Sequence, residues 1–316
     1  MLDSMSIMIP NLPTLDANKI IIFGKNGFLG SYLFKRYHEN PYVFFCFRSA
    51  DNKLVVQNMG LFQETEDWNL KALSRLIHKL EPRVVINAIA LANLEKCEKY
   101  PLLAFEANAE IPKAIALACD VVDSRMVHIS TDAVFGQEGS LFTESIEPVP
   151  SSVYGKTKLQ GETYVMELAE KHLIIRTNFF GYHSFKSTLF NFFYSNLISK
   201  KEIFGYKDVY FNPIYVKDLV LGIEHFASQN TNGLLHFVGN EVLSKFDFGN
   251  IILSQIGQES NLLYPQNFAS RNLESFRKYD LTLSSNFREM HYSCAFDVNS
   301  GITDAILVAK EEENDI

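Results

Sequence analysis

The 316-residue sequence has few cysteines, and those it has show no pairing pattern. Cys46, Cys97, Cys119 and Cys294 are far apart and include no Cys-x-x-Cys pair. This spacing argues against a disulfide framework and against a zinc site. We therefore expect no metal and a reducing, cytoplasmic environment.

Long hydrophobic runs are also absent. No stretch approaches 18 consecutive apolar residues, so no membrane span is predicted. Residues 1–17 lack a basic segment followed by an apolar one, and Asp3 and two prolines interrupt them, so no signal peptide is expected. The net charge of −8 argues against binding to a nucleic-acid backbone, which needs a basic surface.

Short apolar runs alternate with helix-like stretches over the first 175 residues or so. Runs that are apolar throughout are typical of parallel strands covered on both faces. The rhythm predicts an α/β protein with a doubly wound parallel sheet of the Rossmann type. The apolar runs cover residues 19–23, 42–47, 53–56, 83–87, 126–130 and 172–176, and the helix-like stretches cover 28–38, 70–80, 102–119 and 153–171.

The alternation loosens after Arg176, where aromatic and polar residues become frequent. We expect a small substrate-binding lobe over the carboxyl ends of the strands, where ligands bind in such sheets. The acidic end of the chain, from Lys310, is expected to be a frayed tail. The predicted organisation is an N-terminal extension (1–17), a dinucleotide-binding domain (18–178 and about 211–238), the lobe (about 179–210 and 239–300) and a C-terminal segment (301–316).

A glycine-rich turn follows the first apolar run and opens into a helix. Glycine permits positive φ angles and lets the backbone approach a pyrophosphate, and the helix N-terminus supplies N–H groups. The spacing is GxxGxxG rather than GxGxxG, so a simple tight turn is the alternative. Its position between strand and helix favours dinucleotide binding by Gly24, Asn26, Gly27, Phe28, Leu29 and Gly30.

The second apolar run ends in Phe47-Arg48-Ser49, near the expected adenosine ribose. An acidic residue there favours NAD, whereas a basic residue can accept a 2′-phosphate. Arg48 therefore favours NADPH, with NADH as the alternative. A surface arginine without such a role is the simpler interpretation of the same residue.

Tyr154 and Lys158 begin a predicted helix, and their spacing of four places both side chains on one face. A neighbouring ammonium favours the phenolate, so Lys158 is expected to lower the pKa of Tyr154. Tyr154 would protonate a substrate oxygen as hydride arrives, and Lys158 would also bind the nicotinamide ribose. At the end of the run 126–130, Thr131 is our choice for polarising the same carbonyl, with Ser130 as its competitor.

These residues together resemble the extended short-chain dehydrogenase/reductase superfamily and, within it, the dTDP-4-dehydrorhamnose reductase family. The resemblance implies an oxidoreductase that reduces a keto group, at C4, on a nucleotide-linked deoxysugar in polysaccharide biosynthesis. It also implies a nucleotide-sugar ligand and favours a homodimer. It covers about residues 18–290 and is carried by GKNGFLG (24–30), VVINAIALANLEKCE (84–98), STDAVFG (130–136) and YGKTKLQGE (154–162).

The resemblance assigns further residues to the site. By that likeness Ala88, Ile89 and Ala90 pass along the cofactor, and Ser130 stands beside it. Asn108 matches an asparagine that organises the water and lysine of the site. An exposed polar residue on a helix is the alternative for Asn108.

Four positions are expected near the sugar by the same likeness: Asp132, Ala133, Phe179 and Arg277. Core packing is the alternative for Phe179, a surface position for Arg277, and a loop cap rather than a catalytic acid is favoured for Asp132. The family's tyrosine after Ser-Thr-Asp is replaced here by Ala133. This sequence therefore keeps the family's catalytic pair, Tyr154 and Lys158, and differs from the family at positions expected to face the sugar. That combination favours a ketoreductase that acts on a different sugar.

Two other functions remain open. An epimerase or dehydratase of the same fold recycles its cofactor, and Asp132 could then protonate a leaving hydroxyl. The regulatory subunit of methionine adenosyltransferase shares the fold and the YGKTKL wording, and it binds a partner rather than serving mainly as an enzyme. Net cofactor consumption separates the first alternative from a reductase, and NADP binding without turnover indicates the second.

Overall fold

The computed structural model describes residues 19–59, 61–229, 231–258, 260–268, 280–285 and 297–314. The predicted N-terminal extension and Arg277 lie outside these ranges. The strands are β1 Ile20–Phe23, β2 Val43–Arg48, β3 Lys53–Asn58, β4 Leu61–Asp67, β5 Val84–Asn87, β6 Arg125–Thr131, β7 His172–Thr177, β8 Phe179–Phe180, β9 Ile203–Tyr206, β10 Tyr210–Phe211, β11 Ile214–Tyr215, β12 Gly233–His236, β13 Leu243–Ser244 and β14 Leu263–Gln266.

Eight strands form the central sheet, in the order β12-β7-β6-β5-β1-β2-β3-β4. The six strands from β12 to β2 run parallel, which confirms the predicted doubly wound class. β3 runs antiparallel to β2, unlike the predicted parallel alternation, because residues 49–52 are too few for a crossover. β4 was not predicted, since its residues are polar and it forms an exposed sheet edge.

Helices cover both faces of the parallel strands. Side chains of β1 alternate between two cores, with Ile20 and Ile22 on one side and Ile21 and Phe23 on the other. The helices are α1 Phe28–Tyr37, α2 Leu70–Leu80, α3 Leu94–Lys99, α4 Pro101–Phe105, α5 Ile111–Val121, α6 Val153–Leu168, α7 Leu189–Ile198, α8 Val216–Ser228, α9 Lys245–Gln255 and α10 Val298–Asn314.

The predicted helix over 102–119 is interrupted. A π-helical segment, Glu106–Glu110, joins α4 to α5. Such segments often lie at functional sites, because the extra residue redirects the side chains around it. No helix in the described part of the chain is long and apolar enough to cross a bilayer.

The acidic end of the chain differs from the predicted frayed tail. Helix α10 continues through Asn314, and the Glu312 carboxylate pairs with Lys35 on α1 at 2.5 Å. Ile302, Ala305 and Ala309 of this helix are buried against the core. Packing of one face, rather than composition, therefore decides where the helix ends.

Three short strand pairs lie outside the central sheet, and most of their strands fall in the residues predicted to form the small lobe. β9 pairs with β14 in parallel, β10 with β13 antiparallel, and β8 with β11 in parallel. Helix α9 starts at a capping box in which Ser244 and Asp247 satisfy each other's backbone N–H groups. Lys245 follows as the first residue of α9, with its Nζ over the ring of Phe211 on β10.

Candidate active site

The glycine turn lies between the ends of β1 and β5. Gly24 has φ +97°, and a Cβ there would lie 2.9 Å from the Ala88 backbone. A Cβ on Gly30 would lie 2.0 Å from the Gly24 carbonyl oxygen. The first glycine is required for the backbone angle and the close approach, and the third for helix packing. The turn thus directs the N-terminus of α1 toward the carboxyl edge of the sheet.

A cavity of about 360 Å³ opens at this edge, within the range of about 300–1,000 Å³ common for small-molecule sites. Seven of the predicted cofactor residues line it: Gly24, Asn26, Gly27, Arg48, Ala88, Ile89 and Ala90. In the described ranges no cluster of three His, Cys, Asp or Glu residues is placed to hold a metal ion. The cavity wall consists of backbone, of apolar and polar side chains, and of individual charged side chains.

Sequence reasoning missed several lining residues. The single tryptophan, Trp68, lies on the cavity wall with Phe47, just after the unpredicted strand β4. Lys96 and Lys186 add positive charge from α3 and from the loop before α7. The sequence offers one signal for these two lysines, namely a basic residue close to a predicted loop. Such residues are common on any protein surface.

Two predicted residues contribute packing instead of lining this cavity. Leu29 is buried in the core beneath α1. Phe28 packs its ring 5.2 Å from the ring of Phe179, between centroids. Phe179, the first residue of β8, is half-buried, so the two rings form an aromatic contact between the glycine turn and β8.

Tyr154 is placed by the start of α6. Two side chains accept hydrogen bonds there: Ser152 Oγ from Gly155 N–H at 3.0 Å and Glu98 Oε1 from Val153 N–H at 2.8 Å. A Cβ on Gly155 would lie 2.1 Å from the Ala133 carbonyl oxygen, so α6 packs directly on the turn after β6. This contact brings Tyr154 close enough to Thr131 for the Thr131 hydroxyl to lower the pKa of the phenol.

The electrostatics of Tyr154 differ from the prediction. Burial in the crevice raises its pKa, and the Thr131 hydrogen bond only partly offsets this. Lys158, expected to lower that pKa, instead donates from Nζ to the Ile129 carbonyl oxygen at 2.7 Å. Burial lowers the pKa of Lys158 to about 8. Tyr154 is thus a neutral phenol, which is the form that donates a proton.

Because successive side chains of a strand point to opposite faces of the sheet, the hydroxyls of Ser130 and Thr131 on β6 face different surroundings. The Ser130 hydroxyl donates to Glu162, which also pairs with Arg176 at 2.7 Å. Ser130, Glu162 and Arg176 are all buried, so the carboxylate is held by a charged partner and a hydroxyl. The hydroxyl beside Tyr154 is that of Thr131.

The loop after β6 places Asp132 next to these groups. Burial raises the pKa of its carboxyl, while a hydrogen bond from the Asn178 amide, the charge of Lys245 and the Thr131 hydroxyl act in the opposite direction. Asn178 and Lys245 were not among the predicted site residues. Asn178 directly follows β7, and a strand-end position is the signal that could have found it. Ala133 lies beside Asp132 and is half-buried.

Asn108 lies in the π-helical segment and is fully buried. Its Oδ1 accepts from Leu91 N–H at 2.8 Å, and its Nδ2 donates to the Leu91 carbonyl at 3.1 Å and to Thr157 at 3.0 Å. The alternative of an exposed helix residue is therefore wrong. Its amide ties the loop after β5 to α6 one residue before Lys158.

A doubly wound sheet with a glycine turn and a Tyr–Lys pair at its carboxyl edge defines a Rossmann-type fold. Residues 18–294 match the family model described as the RmlD substrate binding domain, and the chain belongs to that family. A dTDP-4-dehydrorhamnose reductase of Salmonella typhimurium is 40% identical over 111 residues, or 35% of this chain. The chain spans 37% of the length of that relative.

Two further similarities cover most of the chain. The methionine adenosyltransferase 2 subunit beta of Rattus norvegicus is 25% identical over 266 residues, which are 81% of this chain and 76% of that protein. The crystal structure of a Bacillus anthracis dTDP-4-dehydrorhamnose reductase in complex with NADP has a TM-score of 0.80 at 23% identity. It aligns with 92% of this chain and 99% of that one, and it establishes the fold.

Proposed function

We propose that this protein is an NADPH-dependent reductase of a keto group, at C4, on a nucleotide-linked deoxysugar. The observation that carries the proposal is the Tyr154–Thr131 hydroxyl pair at the sheet edge that also bears the cofactor-sized cavity. Family membership and the names of the relatives support the substrate class. NADH is the alternative cofactor, and a cytoplasmic homodimer is the expected form.

The residues of the cavity fit a dinucleotide. Gly24 has the positive φ that admits a close backbone approach, and Gly27 precedes the N-terminus of α1 on the cavity wall. Arg48, Lys96 and Lys186 supply positive charge around it. A bound nicotinamide would supply hydride to the substrate carbon.

The protein's own groups would manage the charge that develops on the substrate oxygen. The Thr131 hydroxyl, which donates to Asp132 in this structure, would turn its proton to that oxygen, and the neutral phenol of Tyr154 would transfer its proton to it. Lys158 as an ammonium would stabilise the phenolate that results. Burial favours the protonated tyrosine before reaction, which suits the direction of reduction.

Replacing Tyr154 with Phe removes the proton donor and should lower kcat about 10²- to 10⁴-fold. The measurement is loss of NADPH absorbance with a panel of nucleotide-linked 4-ketosugars. Tyr164→Phe is the matched control, since Tyr164 lies on the same helix with its ring against Lys113. Equal turnover by the Tyr154 variant and wild type would remove Tyr154 from the mechanism.

Asp132 favours a second function, the cofactor-recycling chemistry of epimerases and dehydratases. Its buried carboxyl has a raised pKa and accepts a hydrogen bond from Thr131, so it could act as an acid on a sugar hydroxyl. Conversion of a nucleotide sugar without net NADPH loss, abolished by Asp132→Asn, would support this function and contradict the reductase.

The similarity to the rat subunit supports a third function, that of a non-catalytic binding subunit. Under that function the protein would bind NADP, shift the fluorescence of Trp68 and turn over no ketosugar. Co-purification with an adenosylmethionine synthetase would identify it. Oxidation of NADPH by any nucleotide-linked ketosugar would exclude a purely binding role.

A further inference from the structure

His128 lies inside β6 and is completely buried, yet both ring nitrogens face polar groups. Its Nδ1 is 3.1 Å from the Asn87 amide nitrogen on β5. Its Nε2 is 3.4 Å from Lys158 Nζ on α6. The ring therefore stands directly behind the lysine, and it was not among the residues predicted for the site.

The hydrogen bonds around Asn87 determine which ring nitrogen carries the proton. Ile89 N–H donates to Asn87 Oδ1 at 3.1 Å, so the amide oxygen is turned away from His128 and the NH₂ group faces the ring. An amide NH₂ only donates, and His128 Nδ1 must accept. Burial and the nearby Lys158 charge hold the pKa of His128 well below its usual range. The ring is neutral, with its one proton on Nε2.

We infer that His128 is a positioning residue whose Nε2–H points at Lys158 Nζ and thereby makes the ammonium of that lysine easier to deprotonate. An ammonium has no lone pair to accept this N–H, so two hydrogen-bond donors face each other and repel. A neutral amine accepts from His128 and donates to the Ile129 carbonyl at 2.7 Å. The inference rests on the proposed function, in which Lys158 must be an ammonium to assist Tyr154.

The other charged and titratable groups near Lys158 do not supply the same effect. Glu162, one turn along α6, acts oppositely and raises the pKa of Lys158, and its charge is shared with Arg176 on β7 and Ser130. Tyr154 on α6 is neutral. Two further titratable groups, Asp132 after β6 and Cys97 on α3, act on the pKa of Tyr154. Neither is hydrogen-bonded to Lys158.

The wild-type kcat/KM should fall above about pH 8, where Lys158 loses its proton. His128→Gln can turn an amide oxygen toward Lys158 and thereby stabilise the ammonium. His128→Asn keeps an acceptor for Asn87 and removes the N–H. In both variants the alkaline limb should move up by about one pH unit, since one hydrogen bond is worth about that much.

His172→Gln is the matched control, because it makes the same change at the amino end of the neighbouring strand, where His172 contacts the Ala169 carbonyl. Its alkaline limb should coincide with that of wild type. An unmoved limb in both His128 variants, or an equal shift in the His172 variant, would overturn the assignment of His128.

A second readout does not depend on turnover. ¹⁵N spectra of histidine-labelled wild-type protein should show, for the signals missing in His128→Asn, an unprotonated Nδ1 and a protonated Nε2. The opposite tautomer would overturn the inference even in an active reductase. Absence of turnover with every ketosugar would instead count against the proposed function, while the spectra still decide the state of His128.

Discussion

At the scale of single residues, the two ends of the candidate site differ in how far their charged and titratable groups are exposed to solvent. At the proposed reacting end, burial keeps Tyr154 protonated and brings the pKa of Lys158 to about 8. At the proposed cofactor end the charge is exposed, and Arg48 lines the same cavity as Trp68. Substitutions at the first end should therefore change rates, and those at the second should change affinities.

Arg48→Ala should weaken NADPH binding about 10- to 100-fold, since a hydrogen bond to a charged group is worth about 1.5–3 kcal/mol. NADH lacks the 2′-phosphate, and its affinity should stay nearly constant. Titration of Trp68 fluorescence measures both, because Trp68 is the only tryptophan and lines the same cavity.

Arg83→Ala is the control for that titration. Arg83 is exposed just before β5, at the opposite edge of the sheet, so neither affinity should change. An equal loss of NADPH and NADH binding in the Arg48 variant would mean that Arg48 does not recognise the 2′-phosphate.

Several residues could be identified from the sequence because their geometry is local. The spacing of four predicts the common helix face of Tyr154 and Lys158, and the strand end predicts a hydroxyl near them. The hydrogen-bond partners could not be predicted, because they come from distant segments. Ser130 is directed to Glu162, and Lys158 is held by Ile129 and His128 across the fold.

At the scale of elements, the glycine turn couples a backbone angle to a close contact. Gly24 and Gly233 share the same φ of +97°, but only Gly24 has a neighbour within 4 Å of a Cβ. Alanine at either position should cost about 1–3 kcal/mol of unfolding free energy from backbone strain. Gly24→Ala should in addition press on the Ala88 backbone and lose most of its cofactor affinity.

Urea unfolding and Trp68 titration of the two variants separate strain from contact. Gly233→Ala should be destabilised and still bind cofactor as wild type does. Cofactor binding of equal strength in the two variants would show that the approach of the turn to β5 is not part of the site.

The parallel strands were predictable because burial on both faces makes each an uninterrupted apolar run. Strand β4 was not, since it forms an exposed edge and carries polar residues. The π-helical segment was not predicted either, because the residues before and after it are both typical of α-helix. The direction of β3 follows from the length of its connection rather than from its composition.

At the scale of the whole molecule, the candidate site combines residues at the carboxyl ends of the strands with residues from the segment predicted to form the lobe. Lys245, the first residue of α9, acts on the buried Asp132 carboxyl after β6. Phe142 exchanges backbone hydrogen bonds with Thr282 and Ser284 at 2.9 and 2.8 Å. The sequence predicts a lobe over the carboxyl edge, but contacts such as these depend on segments brought together only by folding.

Transfer of deuterium from NADPH that carries deuterium at both C4 positions of the nicotinamide to a nucleotide-linked 4-ketosugar tests the central claim most directly. Mass spectrometry of the product should show one deuterium, bound at the sugar carbon that was the ketone, with one NADPH consumed for each product. A product without deuterium, or conversion without NADPH consumption, would contradict the reduction proposed for this protein.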